Sequence, residues 1–292
     1  MWSKIQRMCS SKCATPTCID DACGSDIVNV FKEKYSALYN SVPSKANERH
    51  EIEKEIKRQI RAKCSSGLCY CDHQIKVADV KKAIQQLKRG KHDGYYKLYS
   101  NHYIHSGHRF QVLLSLLLNL IFSHNVIPSD LSQSVLIPIP KDKRKLLSTS
   151  KNYRAIALSS IMGKIIDLCI LNKHSKFFHT NDLQFGFKKD HSAIQCTFAV
   201  KEIVQYYNNK KSNVHLMLLD ASQAFDRVRY SVLFQLLLKK ELCPVTINFL
   251  LHLYMHQMMS VRWTNQESSQ FSIQNDVRQG GVLSAMLFSI YM

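Results

Sequence analysis

"HLMLLDASQAFDRVRY", residues 215–230, is the stretch on which the reading turns. Leu216, Met217, Leu218 and Leu219 run straight into Asp220, and Asp226 follows six residues on, beside Phe225. A short apolar run of this kind reads as a buried strand, expected over 214–219. A carboxylate at the end of such a strand is costly unless it is paired or holds a cation. On spacing alone Asp220 is a metal ligand, a helix cap or half of a surface ion pair. Magnesium would suit the first reading, because it takes oxygen ligands and is commonly held by one or two carboxylates plus substrate phosphates.

Downstream of this stretch the sequence predicts helices at about 229–241 and 244–256 and a strand at 258–264. A turn at "NQESS" leads to the strand "QFSIQNDV", and "GGVLSAMLFSIYM" begins a last helix. Upstream, "SVLIPIPKDKRK" at 134–145 reads as a strand interrupted by Pro138 and Pro140, and "NYRAIAL" at 152–158 as a second strand. "SSIMGKIIDLCILNKHSKFF" has the cap and periodicity of an amphipathic helix, and "LQFGFKKDHSAIQCTFAVKEIVQYY" those of a loop entering another. "VLLSLLLNLIF" at 112–122 is too short to span a bilayer and is expected to be a buried helix. Strands and helices in this alternation predict a sheet covered by helices, an α+β layer fold.

Residues 1–75 are polar and charge-dense. A helix from Ser25 or Asp26 is expected to set Ile27, Val30, Phe31 and Leu38 on one face. "NERHEIEKEIKRQIRAK" at 47–63 reads as a solvated helix with one narrow stripe of Ile52, Ile56 and Ile60, in preference to a basic arm. The ten cysteines are irregularly spaced in a chain without a secretory signal, so reduced thiols are the expectation. Neither Cys9, Cys13, Cys18 and Cys23, nor Cys64, Cys69 and Cys71 with His73, has the tight pairing of a zinc module. An intracellular protein of the cytoplasm or nucleus follows as the expectation.

Forty Lys and Arg face 22 Asp and Glu, a formal charge of +18. That imbalance favours a polyanionic partner, since each phosphate neutralised releases counterions. The loop after the helix that starts at 76 gathers Lys88, Arg89, Lys91 and His92 with Tyr95, Tyr96 and Tyr99. Rings that stack on bases beside cations that hold phosphates would suit a nucleic-acid surface, the alternative being a Tyr-rich loop that packs on the core.

"LLDASQAFDRV" resembles the first catalytic motif of reverse transcriptases from non-LTR (LINE-type) retrotransposons. So do "IPIPKDKRKLLSTSKNYRAIALSSIMGKIID", "LQFGFKKDHSAIQCT" and "VRQGGVLSAMLFSIYM", in the family's order over about residues 76–292. The resemblance implies a right-hand polymerase fragment. A helical N-terminal extension (1–75) would precede a fingers-like region (76–213) and an incomplete, ferredoxin-like palm (214–292). It implies synthesis of DNA on an RNA template from a DNA primer and deoxynucleoside triphosphates, with two magnesium ions and no membrane. Asp220 would ligate the ions. Phe225 would lie against the sugar of the incoming nucleotide and exclude a 2′-hydroxyl, and Asp226 would make a structural contact. Gln279 and Gly280 would meet nucleotide and template. Arg154 and Lys141 would hold the triphosphate, although Lys143, Arg144 or Lys145 could take the place of Lys141.

The sequence departs from the family pattern at Arg278, where Lys is usual, and at "SA" 284–285, where "SP" is usual. The sequence stops at Met292 before the family's Tyr-x-Asp-Asp hairpin, and on this reading it is expected to carry neither a thumb nor an upstream endonuclease. The chain by itself is therefore expected to be inactive, since a partial cage binds ions poorly. The competing expectation is a catalytically dead relic that at most binds nucleic acid.

Overall fold

In the computed structural model, which describes residues 16–42, 46–64, 73–94, 96, 98–188, 190–277 and 280–292, the first element is a small hairpin. Its strands β1 (Cys18–Ile19) and β2 (Ala22–Cys23) pair antiparallel across Asp20 and Asp21, both at positive φ. Aspartate tolerates that conformation in a two-residue turn. The register sets Cys18 opposite Cys23, with Cα atoms 4.2 Å apart, and the two are bonded as a disulfide. This corrects the expectation of reduced thiols throughout: irregular spacing hid a pair that the turn brings face to face. Among the described residues no cluster of metal-ligating side chains forms.

Helix α1 (Ile27–Tyr39) follows, and its four-residue spacing puts Ile27, Phe31, Tyr35 and Tyr39 on one buried stripe, with Val28 also buried. Val30, expected on that stripe, is only half-buried at its flank. The stripe covers a sheet formed far along the chain by β3 (Gln133–Pro140), β4 (Tyr153–Ser159), β5 (Met258–Trp263), β6 (Gln266–Glu267) and β7 (Phe271–Ser272). The order is β4-β3-β5-β6, with β7 also on β5. The two-residue alternation of each strand turns Tyr153, Ala155 and Ala157 of β4, and Met259, Val261 and Trp263 of β5, toward α1. Phe31 lies between the rings of Tyr153 and Trp263, with centroids 5.2 Å away in each case.

β3 pairs antiparallel with β4 from Ser134↔Ser159 to Pro140↔Tyr153, but parallel with β5 only over Gln133–Leu136. Pro138 and Pro140 therefore lie past the end of the β3–β5 ladder, where that side of β3 has no paired strand among the described residues. Their missing N–H breaks no ladder there. The parallel pair ties the segment expected as fingers to the segment expected as palm.

The second core is helical. α2 (Ala46–Cys64) lays Ile52 and Ile56 fully inward and Ile60 partly, as its stripe predicted. It packs on α9 (Tyr230–Lys239) and α10 (Pro244–Met255), while α3 (Val77–Gln85) packs on α5 (His108–His124) and α7 (Ile161–Lys173). Short helices α4 (Ser100–Ile104) and α6 (Ser129–Ser132) flank α5, and α11 (Ser284–Tyr291) closes against α9. The Ser160 hydroxyl accepts from the Gly163 N–H at 3.0 Å and caps α7, as expected.

Three sequence expectations are corrected. Residues 214–219 are not a strand, and Leu216, Met217, Leu218 and Leu219 are exposed. An apolar run becomes a strand only when a neighbour supplies the ladder, and among the described residues none lies beside it. α5 is not buried all round: Leu114, Leu118, Ile121 and Phe122 face the core, whereas Leu113, Leu116, Leu117 and Leu120 face outward. Of "QFSIQNDV" only Phe271 and Ser272 pair as a strand. α8 (Ala193–Asn209) forms with a Ser192–Gln195 capping box, yet no side chain of it is buried.

Candidate functional site

A cavity of about 660 Å³ opens where α1, the start of β4 and the 215–230 stretch meet. Lys141 reaches it because its N–H is held by the Asn152 carbonyl at 2.7 Å as the chain leaves β3. Arg154, second in β4, borders it on the outward-facing phase of the strand. Asp220, Gln223 and Asp226 of the 215–230 stretch line it as well. Asp220 is exposed, whereas Asp226 is only 7% exposed. Three side chains expected at one site from positions far apart, Lys141, Arg154 and Asp220, thus share one wall system.

Lys34, Tyr35 and Tyr39 of α1 complete the cavity, and no sequence signal marked them as site residues. Burial beside the Lys141 ammonium lowers the Lys34 pKa to about 8, against a weaker opposing pull from Asp20. Burial, reinforced by Asp226, pushes the Tyr35 phenol upward, so it stays protonated. Burial does the same to Tyr39, with Asp276 and then Asp226 adding to it.

A smaller cavity of about 350 Å³ lies at the other end of β4, lined by Lys88, Lys91, Lys164, Ser100, Ile161 and Gly280. Burial, with Lys91 adding to it, lowers the Lys164 pKa, against raising pulls from Asp93 and Asp167. Gly280 has φ +111°, and a Cβ there would sit 3.0 Å from the Ala157 carbonyl oxygen. Only glycine lets the chain cross β4 this closely. The loop that carries Lys91 is fixed by Asp93, which is buried and accepts from the Leu98 N–H at 3.2 Å.

The remaining expected residues fall elsewhere. Phe225 does not line the larger cavity; its ring stacks on Phe288 of α11 at 4.3 Å and meets Phe187 edge-on at 5.6 Å. Its carbonyl accepts from the Val277 N–H at 3.2 Å, which ties Val277 to the 215–230 stretch. Arg89 is exposed and lines neither cavity. Tyr95 and Gln279 lie outside the described residues.

The sequence model of the reverse transcriptase (RNA-dependent DNA polymerase) family matches residues 139–292, more than half of the chain. The chain belongs to the reverse transcriptase family. A Drosophila melanogaster protein, the probable RNA-directed DNA polymerase from transposon BS, is 26% identical over 223 residues, 74% of this chain and 24% of that protein. The probable RNA-directed DNA polymerase from transposon X-element of the same species is 28% identical over 145 residues, 48% of this chain and 16% of that protein. The reverse transcriptase chain thus spans a quarter or less of the length of these relatives. Both names agree with the resemblance to retrotransposon enzymes.

Members of the reverse transcriptase family generally use divalent metal ions, and two carboxylates of this chain would suit one held partly by substrate. Asp220 and Asp226 border one cavity with three cations, two carboxylates being what magnesium commonly takes besides phosphate oxygens. No helix among the described residues is long and apolar enough to cross a membrane.

Proposed function

We propose that this chain belongs to an enzyme that copies RNA into DNA, and that the larger cavity receives the incoming deoxynucleoside triphosphate. The convergence of Asp220, Arg154 and Lys141 on one 660 Å³ space carries the reading. The guanidinium of Arg154 offers a planar fork suited to two phosphate oxygens, and Lys141 adds a point charge. Asp220, exposed in the lining of the same cavity, would hold magnesium, whose charge neutralises the phosphates during transfer. In the reaction a primer 3′-hydroxyl forms a bond to the α-phosphorus and pyrophosphate leaves. Placed between Arg154 and Asp220, the triphosphate would be aligned before that step. The smaller cavity, with Lys88 and Lys91 beside Gly280, would take backbone phosphate of the template, and Arg89 and Tyr95 would extend that surface. Phe225, packed on Phe288 outside the larger cavity, would act on the sugar only through the backbone of the 215–230 stretch, and Gln279 would contact the nucleotide.

The test is equilibrium binding of magnesium-deoxynucleotide to the 292-residue chain. Arg154→Ala and Asp220→Asn should each weaken it by about tenfold, the size of one charge-assisted interaction. Unchanged affinity in both variants, with native melting curves, would place the nucleotide elsewhere.

A further inference from the structure

We propose that Lys34 of α1 is a further phosphate-positioning residue of the larger cavity, with the Tyr35 hydroxyl beside it donating to the same triphosphate. The assignment rests on reading that cavity as the nucleotide site. Lys34 lies outside the stretch that the family pattern matches, residues 139–292.

Three observations carry it. First, Lys34 borders the cavity together with Lys141 and Arg154, although it comes from an element formed more than a hundred residues earlier. Second, Lys34 is half-buried, and its ammonium is bonded only to the Ser150 carbonyl among the described residues, not to a carboxylate. Bringing it toward Lys141 is unfavourable in the empty cavity, and an anion between the two ammonium groups reverses the sign of that interaction. Third, the Tyr35 hydroxyl is buried and finds no hydrogen-bond partner among the described residues, though the residue borders the cavity. A buried donor left unmade is destabilising, and a phosphate oxygen would satisfy it.

The carboxylates of the same cavity select the ligand class. Asp220 and Asp226 repel a bare anion, so the cavity suits an anion that carries a divalent cation. A magnesium nucleoside triphosphate meets that description and suits the volume. The charged groups that face Lys34 are Lys141 beyond β3, Arg154 in β4, Asp20 in the β1–β2 turn, and Asp220 and Asp226. Tyr35 and Tyr39 stay protonated across the working range. Burial and the nearby Lys141 ammonium bring the Lys34 pKa down to about 8.

The experiment measures binding of magnesium-dTTP, magnesium-tripolyphosphate and a single-stranded RNA to the wild-type chain, Lys34→Met, Lys34→Arg and Tyr35→Phe. Lys34→Met should weaken both triphosphates by about tenfold and leave RNA affinity within about twofold. Lys34→Arg should restore triphosphate binding. Wild-type affinity should fall between about pH 7.5 and about pH 9.5 as Lys34 loses its proton, while Lys34→Arg stays flatter over that range. Tyr35→Phe should weaken both triphosphates by about threefold. In the wild type, magnesium-dTTP should protect Lys34 from acetylation read by mass spectrometry, which needs no variant to fold.

If Arg154→Ala and Asp220→Asn weaken triphosphate binding while Lys34→Met does not and Lys34 stays unprotected, the Lys34 assignment alone is overturned. If the wild type binds no triphosphate, or those two variants bind as tightly as it does, the nucleotide reading falls and takes the assignment with it. A parallel loss of RNA binding in Lys34→Met would make Lys34 a backbone contact and overturn the assignment as well.

Discussion

A Cβ on Gly94 would lie 2.9 Å from both the Cβ and the carbonyl oxygen of Leu158, and 3.0 Å from the Cβ of Val135. Those atoms belong to the sheet, so neither a rotamer change nor a side-chain swing relieves the clash. Gly94→Ala is expected to destabilise the chain by about 1–3 kcal/mol, seen as a lower midpoint in thermal or urea melts. At this scale the sequence was uneven as a guide. Asp220 stood out because an acid closes an apolar run, and Gly280 because paired glycines invite a close crossing. Asp93 and Gly94 read only as punctuation in a tyrosine-rich loop, since what fixes them is a sheet that the loop meets in space. Lys34 was hidden for the same reason: on α1 it is one more charged flank between Phe31 and Tyr35, and its hydrogen-bond partner is 116 residues away.

Among the elements, α1 and the 214–219 segment make the clearest contrast. Phe31 sits fully buried between Tyr153 and Trp263, so Phe31→Ala removes ring packing against two strands at once. A loss of about 3–5 kcal/mol is expected, with the near-UV aromatic signal falling in step. Leu218 is 93% exposed. Leu218→Lys should therefore leave the melting midpoint within the range of an ordinary surface change, about 0.5 kcal/mol, and reduce dye binding and self-association. A strong destabilisation in that variant would restore the buried-strand reading. Strands β3, β4 and β5 were legible because alternation along each is set by its own two faces. The 214–219 run was not, because hydrophobicity records what a segment can bury and says nothing of whether a neighbour is there to bury it.

For the molecule as a whole, composition announced a charge of +18 but not its placement. The fold puts clustered cations at both ends of β4, Lys34, Lys141 and Arg154 at one and Lys88, Lys91 and Lys164 at the other. Single-stranded RNA should bind with an affinity that falls steeply with salt. Replacing Lys88, Lys91 and Lys164 together by Ala should flatten the log–log slope by about 2, near 0.7 for each phosphate no longer neutralised. An unchanged slope would move the RNA path away from the smaller cavity. The α+β class followed from the order of elements. The joining of β3 to β5 did not, since a parallel pair between distant segments leaves no local mark in either strand.

The packing of α1 on β5 also sets a timetable for a ribosome making this chain. Lys32 on α1 ends up bonded to Ser269, 237 residues later. At roughly 5–20 residues per second, α1 waits roughly ten to fifty seconds before β5 has emerged to receive its aromatic stripe. During that interval the helix that walls the larger cavity is an uncovered apolar surface, a client for whatever holds nascent chains apart.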